Sequence, residues 1–198
     1  MAPLPDFDGP LAKVKSPTKL AHIVLRTGKF TQMVEFYKTF LGATASYENE
    51  QLSFLAYDDE HHRIAIVNLG VGPQDKSRAG LEHVAFTFDS VPDLLLAYRQ
   101  RKAKGIVPIW SVNHGPTLSL YYRDPDGNQI ETQVDSFENP EEATQFMKSE
   151  EFTENPIGVD FDPEELIEKL KEGVSERELL KRPKIGPRGL ESIPFFTN

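Results

Sequence analysis

The chain has 198 residues, with 22 Lys plus Arg against 31 Asp plus Glu, a formal charge of −9. That balance disfavours a nucleic-acid binder or a binder of anionic membranes, because both need clustered positive charge. A hydrophobic content of 38% is enough for a core, and the lack of any cysteine excludes disulfides, thiolate metal sites and cysteine nucleophiles.

Residues 1–16 hold Pro3, Pro5 and Pro10, with Pro17 just beyond, and are expected to form an arm rather than a helix. They carry no apolar run of the kind a secretory signal or an anchor needs, so neither is expected. A first strand is predicted over Leu20-Ala21-His22-Ile23-Val24-Leu25. Phe30, Met33, Val34, Tyr37, Phe40 and Leu41 then recur at helical spacing, and Gly42 stops the helix. Three more strands are predicted at Ala43–Tyr47, Leu52–Tyr57 and Arg63–Val67. The same order returns: a strand at Gly80–Phe88, a helix at Val91–Lys104, and strands at Ile106–Val112, Leu118–Tyr122 and Gln129–Val134. Asp124-Pro125-Asp126-Gly127-Asn128 is turn chemistry between the last two.

The chain therefore contains an internal repeat, with Leu20-x-His22 and Leu81-x-His83 as matching points. One copy alone cannot cover both faces of its sheet. Two copies give an α+β fold of paired βαβββ modules, about 18–70 and 79–136, forming a curved mixed sheet around a shared cavity. Residues 137–198 form a C-terminal extension, partly helical. Short helices are expected at Ala143–Lys148 and at Pro163–Glu172, the latter capped by Asp162 and stopped by Gly173, and Ser175–Lys181 extends or restarts it. The apolar end, Ile193-Pro194-Phe195-Phe196, is expected to dock on its own domain or on a neighbouring subunit.

Chemistry concentrates on a few polar residues. His22 and His83 hold equivalent places in the repeat, which brings both toward one cavity. Alternation along Gln129-Ile130-Glu131-Thr132-Gln133-Val134 puts Glu131 on the polar face, and a carboxylate turned into a cavity needs a cation or water. Two imidazoles and one carboxylate form a ligand set that leaves open positions on ferrous iron. Mn(II) also fits, and Zn(II) stays open. Trp110 either lines the cavity or packs against its neighbours.

With its Leu81-Glu82-His83-Val84-Ala85-Phe86 run and its Tyr121–Glu131 segment, the chain resembles the vicinal oxygen chelate superfamily over residues 17–136. That family includes glyoxalase I, bleomycin- and fosfomycin-resistance proteins and extradiol ring-cleavage dioxygenases, and it places a metal where two modules meet. Among these the extradiol dioxygenases are the closest, because His22, His83 and Glu131 fall on their metal-ligand positions. Tyr121 falls on their conserved-spacing tyrosine ten residues before the glutamate. The resemblance implies that His114 supports the bound diol and that His62 is the acid–base residue, with His61 as the alternative. It implies an Fe(II)-dependent enzyme that cleaves a catechol or related diol with O2. The runner-up is a glyoxalase-type lyase or isomerase on Zn(II) or Ni(II), and a non-catalytic small-molecule binder is the third reading. A cytoplasmic homodimer with no nucleic-acid or membrane partner is expected.

Overall fold

The computed structural model describes residues 14–73, 75 and 77–195. The expected arm thus lies almost entirely outside the described residues, as does Phe196.

The first module runs β1 (Ile23–Thr27), α1 (Phe30–Leu41), β2 (Thr44–Glu48), β3 (Leu52–Ala56) and β4 (Ile64–Asn68). Its sheet has the order β1-β4-β3-β2, with β1 parallel to β4 and the other pairs antiparallel. The second module repeats it as β5 (His83–Thr87), α2 (Val91–Lys102), β6 (Trp110–Asn113), β7 (Thr117–Arg123) and β8 (Gln129–Asp135). Its order is β5-β8-β7-β6, extended at the β6 edge by the two-residue β9 (Val159–Asp160). Each module keeps its own hydrogen-bonded sheet. The extension also carries α3 (Pro140–Met147), α4 (Glu150–Glu154), α5 (Pro163–Lys171) and α6 (Glu176–Leu179).

The helices form where the apolar spacing requires. Met33, Val34, Tyr37 and Phe40 make the buried stripe of α1, and Gly42 closes it at φ 63°, a left-handed conformation that suits a residue without Cβ. Ser90 caps α2 by accepting the Asp93 N–H, with Pro92 in the first turn. One core holds both modules together, joining Met33, Phe40 and Ile66 to Leu94, Tyr122 and Ile130. The buried Arg101 crosses between them: its Nε donates to the Phe40 carbonyl at 2.8 Å and its guanidinium lies 3.9 Å over the Phe40 ring. The Asp124–Asn128 turn joins them as well, since Tyr37 donates its hydroxyl proton to Asp124 Oδ2 at 3.1 Å.

Several boundaries differ from the sequence reading, each for a physical reason. β1 begins at Ile23 rather than Leu20, because the Arg63 guanidinium takes the Leu20 and Ala21 carbonyls at 2.9 and 3.0 Å in place of a strand partner. His22 therefore stands at the entrance of the strand, exposed. β6 begins at Trp110 rather than Ile106, since Pro108 has no N–H for the ladder. α2 ends at Lys102, where Ala103–Gly105 turn off with Gly105 at φ 79°. α3 starts earlier than expected, at Pro140, because Asn139 caps it.

Candidate active site

His83 opens β5 and pairs with Gln129 across the parallel β5–β8 ladder, which sets Ala85 beside Glu131. The His83 Nε2 meets Glu131 Oε2 at 3.1 Å, and its Nδ1 meets Glu82 Oε2 at 2.9 Å. Glu82 is itself held by Gln129, whose amide donates to Glu82 Oε1 at 2.6 Å. The imidazole is thus fixed between two carboxylates. The Glu131 hydrogen bond raises the His83 pKa to about 9 against the opposing effect of burial, with Glu82 adding to the rise. Glu131 is only 5% exposed. Burial works to raise its pKa, but hydrogen bonds from His83 and Ser119 hold it below the usual carboxylate range.

Tyr121 stands directly opposite Glu131 in the β7–β8 register. Burial, followed by the charge of Glu131, pushes its phenol well above the ordinary value, so the hydroxyl keeps its proton. That hydroxyl lies 3.0 Å from His114 Nε2. His114 Nδ1 lies 2.5 Å from the Ile157 carbonyl, which can only accept. The proton therefore sits on Nδ1, and Nε2 presents a lone pair to Tyr121. Burial depresses the His114 pKa and keeps the ring neutral.

The second cluster belongs to the first module. The His22 ring lies 4.3 Å from that of His62 and 6.4 Å from that of His61. His62 stacks on Phe54 at 4.8 Å, and its Nδ1 is 2.5 Å from Nδ1 of His61, so one of the two rings donates. Burial, then the neighbouring His22 and His61, lowers the His62 pKa and leaves the ring neutral at pH 7.

The structure thus brings His83, Glu131, Tyr121 and His114 into one connected chain, and His22, His61 and His62 into another. It does not close the two into one centre: among the described residues no three His, Asp or Glu side chains converge as a metal-holding group. The two modules also differ at the glutamate. The registers place Ala65 beside Val24 and Glu131 beside Ala85, so Ala65 occupies the first module's counterpart of Glu131.

Sequence reasoning missed the supports that the extension supplies. Asn155 Oδ1 accepts the Ile157 and Gly158 N–H groups at 3.2 and 2.7 Å, which aims the Ile157 carbonyl at His114. Gly158 has φ 114°, and a Cβ there would meet the Asn113 carbonyl oxygen at 2.3 Å, so the tight approach requires glycine. The Arg182 side chain, 3% exposed, donates to the His114 and Asn155 carbonyls at 3.1 and 2.8 Å. The Asn-Pro-Ile-Gly run at 155–158 is a turn signal in the sequence, but nothing there ties it to His114.

Residues 19–132 match the model of the Glyoxalase/Bleomycin resistance protein/Dioxygenase superfamily. The chain is 46% identical over 167 residues to Biphenyl-2,3-diol 1,2-dioxygenase 3 of Rhodococcus globerulus, covering 83% of this chain and 88% of that protein. It is 45% identical over 157 residues to Biphenyl-2,3-diol 1,2-dioxygenase 2 of the same organism, covering 78% and 83%. Among solved structures, a glyoxalase/dioxygenase from Nostoc punctiforme superposes with a TM-score of 0.52 at 20% identity, covering 63% of this chain and 98% of that one.

Proposed function

Because the chain belongs to the Glyoxalase/Bleomycin resistance protein/Dioxygenase superfamily, and within it to the extradiol dioxygenases, we propose that it opens the ring of a catechol or related aromatic diol beside the two hydroxyls. The two relatives' names point to a diol carrying an aryl substituent. The observation that carries the reading is the linked set His83, Glu131, Tyr121 and His114, which gathers metal donors and proton-handling groups in one contact chain.

The donor chemistry fits a divalent cation: an imidazole nitrogen and a carboxylate oxygen face each other at 3.1 Å, and a proton now bridges the gap. His22, His83 and Glu131 are the three donors of this reading, and Fe(II) is the metal, ahead of Mn(II), Zn(II) and Ni(II). The bound metal would supply a Lewis acid for the diol oxygens and a path for electrons to O2. This chain's residues do the rest. Glu82 orients His83. His62, neutral at pH 7, takes a proton from the diol, with His61 beside it as the alternative. Tyr121 has one hydroxyl proton, held by His114 Nε2 before the diol binds; that proton turns to a substrate oxygen when the diol is bound, and Nε2 then accepts from the diol. Ala65 at the first module's matching place offers no fourth donor, which disfavours the glyoxalase-type lyase and leaves positions for a bidentate diol and O2.

His22 joins no group with the other two donors within one chain. We assign the meeting of the modules' donors to a cytoplasmic homodimer, in which the exposed His22 of one copy faces His83 and Glu131 of the other. Exposed apolar side chains near that histidine, Leu20 and Val24 at 74% and 53%, would be covered by the contact. Two measurements test the reading. Protein reconstituted anaerobically with Fe(II) and mixed with catechols and O2 should give the yellow ring-cleavage product, and no product from any diol sinks the activity. His22→Ala and Glu131→Ala variants, each inactive, should regain activity on mixing. Half of the dimers would be mixed and one site in each intact, giving about a quarter of wild-type turnover. A mixture as dead as its components would put all three donors in one chain.

A further inference from the structure

The last described segment is residues 188–195. It packs on the second module through a small cluster separate from the main core, formed by Trp110, Val112, Tyr121, Ile157 and Ile193 with Phe195 against it. Tyr121 is the pivot of that cluster. Its ring meets His83 edge-on at 5.5 Å, stacks on Trp110 at 5.1 Å and lies 5.9 Å from Phe195. Phe195 in turn meets the Trp110 ring edge-on at 5.6 Å. An unbroken aromatic wall therefore leads from the candidate metal donor His83 to the C-terminal segment. Trp110 and Tyr121 are 7% and 5% exposed, whereas Phe195 is half-buried and forms the outer rim.

The segment is pinned to the same wall. Arg188 binds Asp160 through both guanidinium nitrogens, at 2.7 and 2.9 Å, a bidentate geometry that fixes direction as well as distance. The Oδ1 of Asp160 also accepts the Trp110 indole N–H at 2.8 Å. Arg188 donates further to the Gly158 carbonyl at 3.1 Å, on the loop that presents Ile157 to His114. One carboxylate thus sets the position of the wall's indole and of the segment that carries Phe195.

From this arrangement we infer that Phe195 is a specificity-determining residue: it forms the far end of an aromatic wall that holds a substituent on the diol ring, an aryl group above all. The inference rests on the ring-cleavage reading. Its physical basis is that an aryl group gains edge-to-face and stacked contacts on such a wall, whereas a bare catechol, held at the metal end, does not reach Phe195. Arg188 and Asp160 are positioning residues for the same wall.

The test compares kcat/KM for biphenyl-2,3-diol and for unsubstituted catechol in the Fe(II)-loaded wild type, Phe195→Ala and Phe195→Leu. The expected result is a fall of about tenfold for the aryl diol in Phe195→Ala, with catechol changed less than about twofold. Phe195→Leu keeps apolar bulk and should retain most of the aryl-diol rate. Catechol turnover in each variant doubles as a check that the site is folded. Equal losses on both diols would make Phe195 a packing residue only, and no loss on either would remove it from the substrate; both overturn the inference. If the wild type cleaves neither diol, the ring-cleavage reading itself falls and this inference with it. A second readout needs no turnover. Trp110 is the only tryptophan in the chain, so its emission should shift when metal-free protein is titrated anaerobically with biphenyl-2,3-diol and not with catechol. Equal shifts with both diols would contradict the wall's selectivity.

Discussion

The two modules share one strand order and the same parallel pairing of first and last strands, yet among the described residues the buried His83–Glu131–Tyr121–His114 chain lies in the second. Their outer edges show why. The strand β2 is exposed along its whole length, and among the described residues no strand pairs with its free side. Its counterpart β6 is covered by β9, and the extension that supplies β9 also supplies the Ile157 carbonyl for His114 and the Arg182 guanidinium behind it. A repeated module is thus a neutral frame. What distinguishes the second one is a glutamate where the first has Ala65 and an extension that pairs with its edge strand.

The most direct way to break that difference is to make the second module like the first. Glu131→Ala should lower turnover by at least about a thousandfold and abolish stoichiometric metal binding, with the fold retained. Oxygen uptake and metal content measured on the same sample check both, and full metal occupancy in the variant would remove Glu131 from the ligand set. Tyr121→Phe is milder. It keeps the ring on Trp110 and deletes the hydroxyl shared with His114 and Glu131. A loss of about ten- to a hundredfold in kcat, with a smaller change in KM, is expected for a group that handles a proton in the transition state.

Arg182→Ala addresses the cover rather than the chemistry. The variant strands the His114 and Asn155 carbonyls, each now served by a buried charged donor. A loss of about 2–3 kcal/mol in urea unfolding is expected, with metal binding still present because no donor is touched. Stability unchanged within error would show that the extension needs no such clamp.

How much of this was legible in the sequence follows from how local each cause is. The repeat, the stripe of α1, Gly42 and the Asp162 cap are written in periodicity and cap chemistry, and the structure shows each of them. The face of Glu131 was readable from alternation along one strand, whereas Tyr121 was singled out only through the family resemblance. β9 was not, since two residues carry no period, and it exists only because β6 offers an unpaired edge. Nor was the support of His114 readable: Asn155, Ile157 and Arg182 lie 41, 43 and 68 positions away in the chain and meet it only through tertiary packing. The grouping of His22 with His61 and His62 belongs to the same class, as it depends on where β1 enters the sheet beside the turn before β4.

The smallest expected effect concerns the His83–Glu131 pair in metal-free protein. The His83 pKa stands at about 9 in the fold against an ordinary 6.5. A histidine raised in this way adds stability that is complete below pH 6.5 and is lost as pH climbs through 9. Glu131 acts at the other end: its lowered pKa adds stability that is present above the usual carboxylate range and fades as pH falls through the folded value. Melting temperature in the presence of a chelator should therefore be highest between those limits and decline by a few degrees on the alkaline side. His83 is partly open to solvent, so the decline is shallow. In Glu131→Gln the histidine loses its principal partner, and the alkaline decline should flatten. His62 in the first module is the contrast: its pKa is lowered rather than raised, so this residue does not produce a fall in that direction. An alkaline decline of the same depth in wild type and Glu131→Gln would place its source away from this pair.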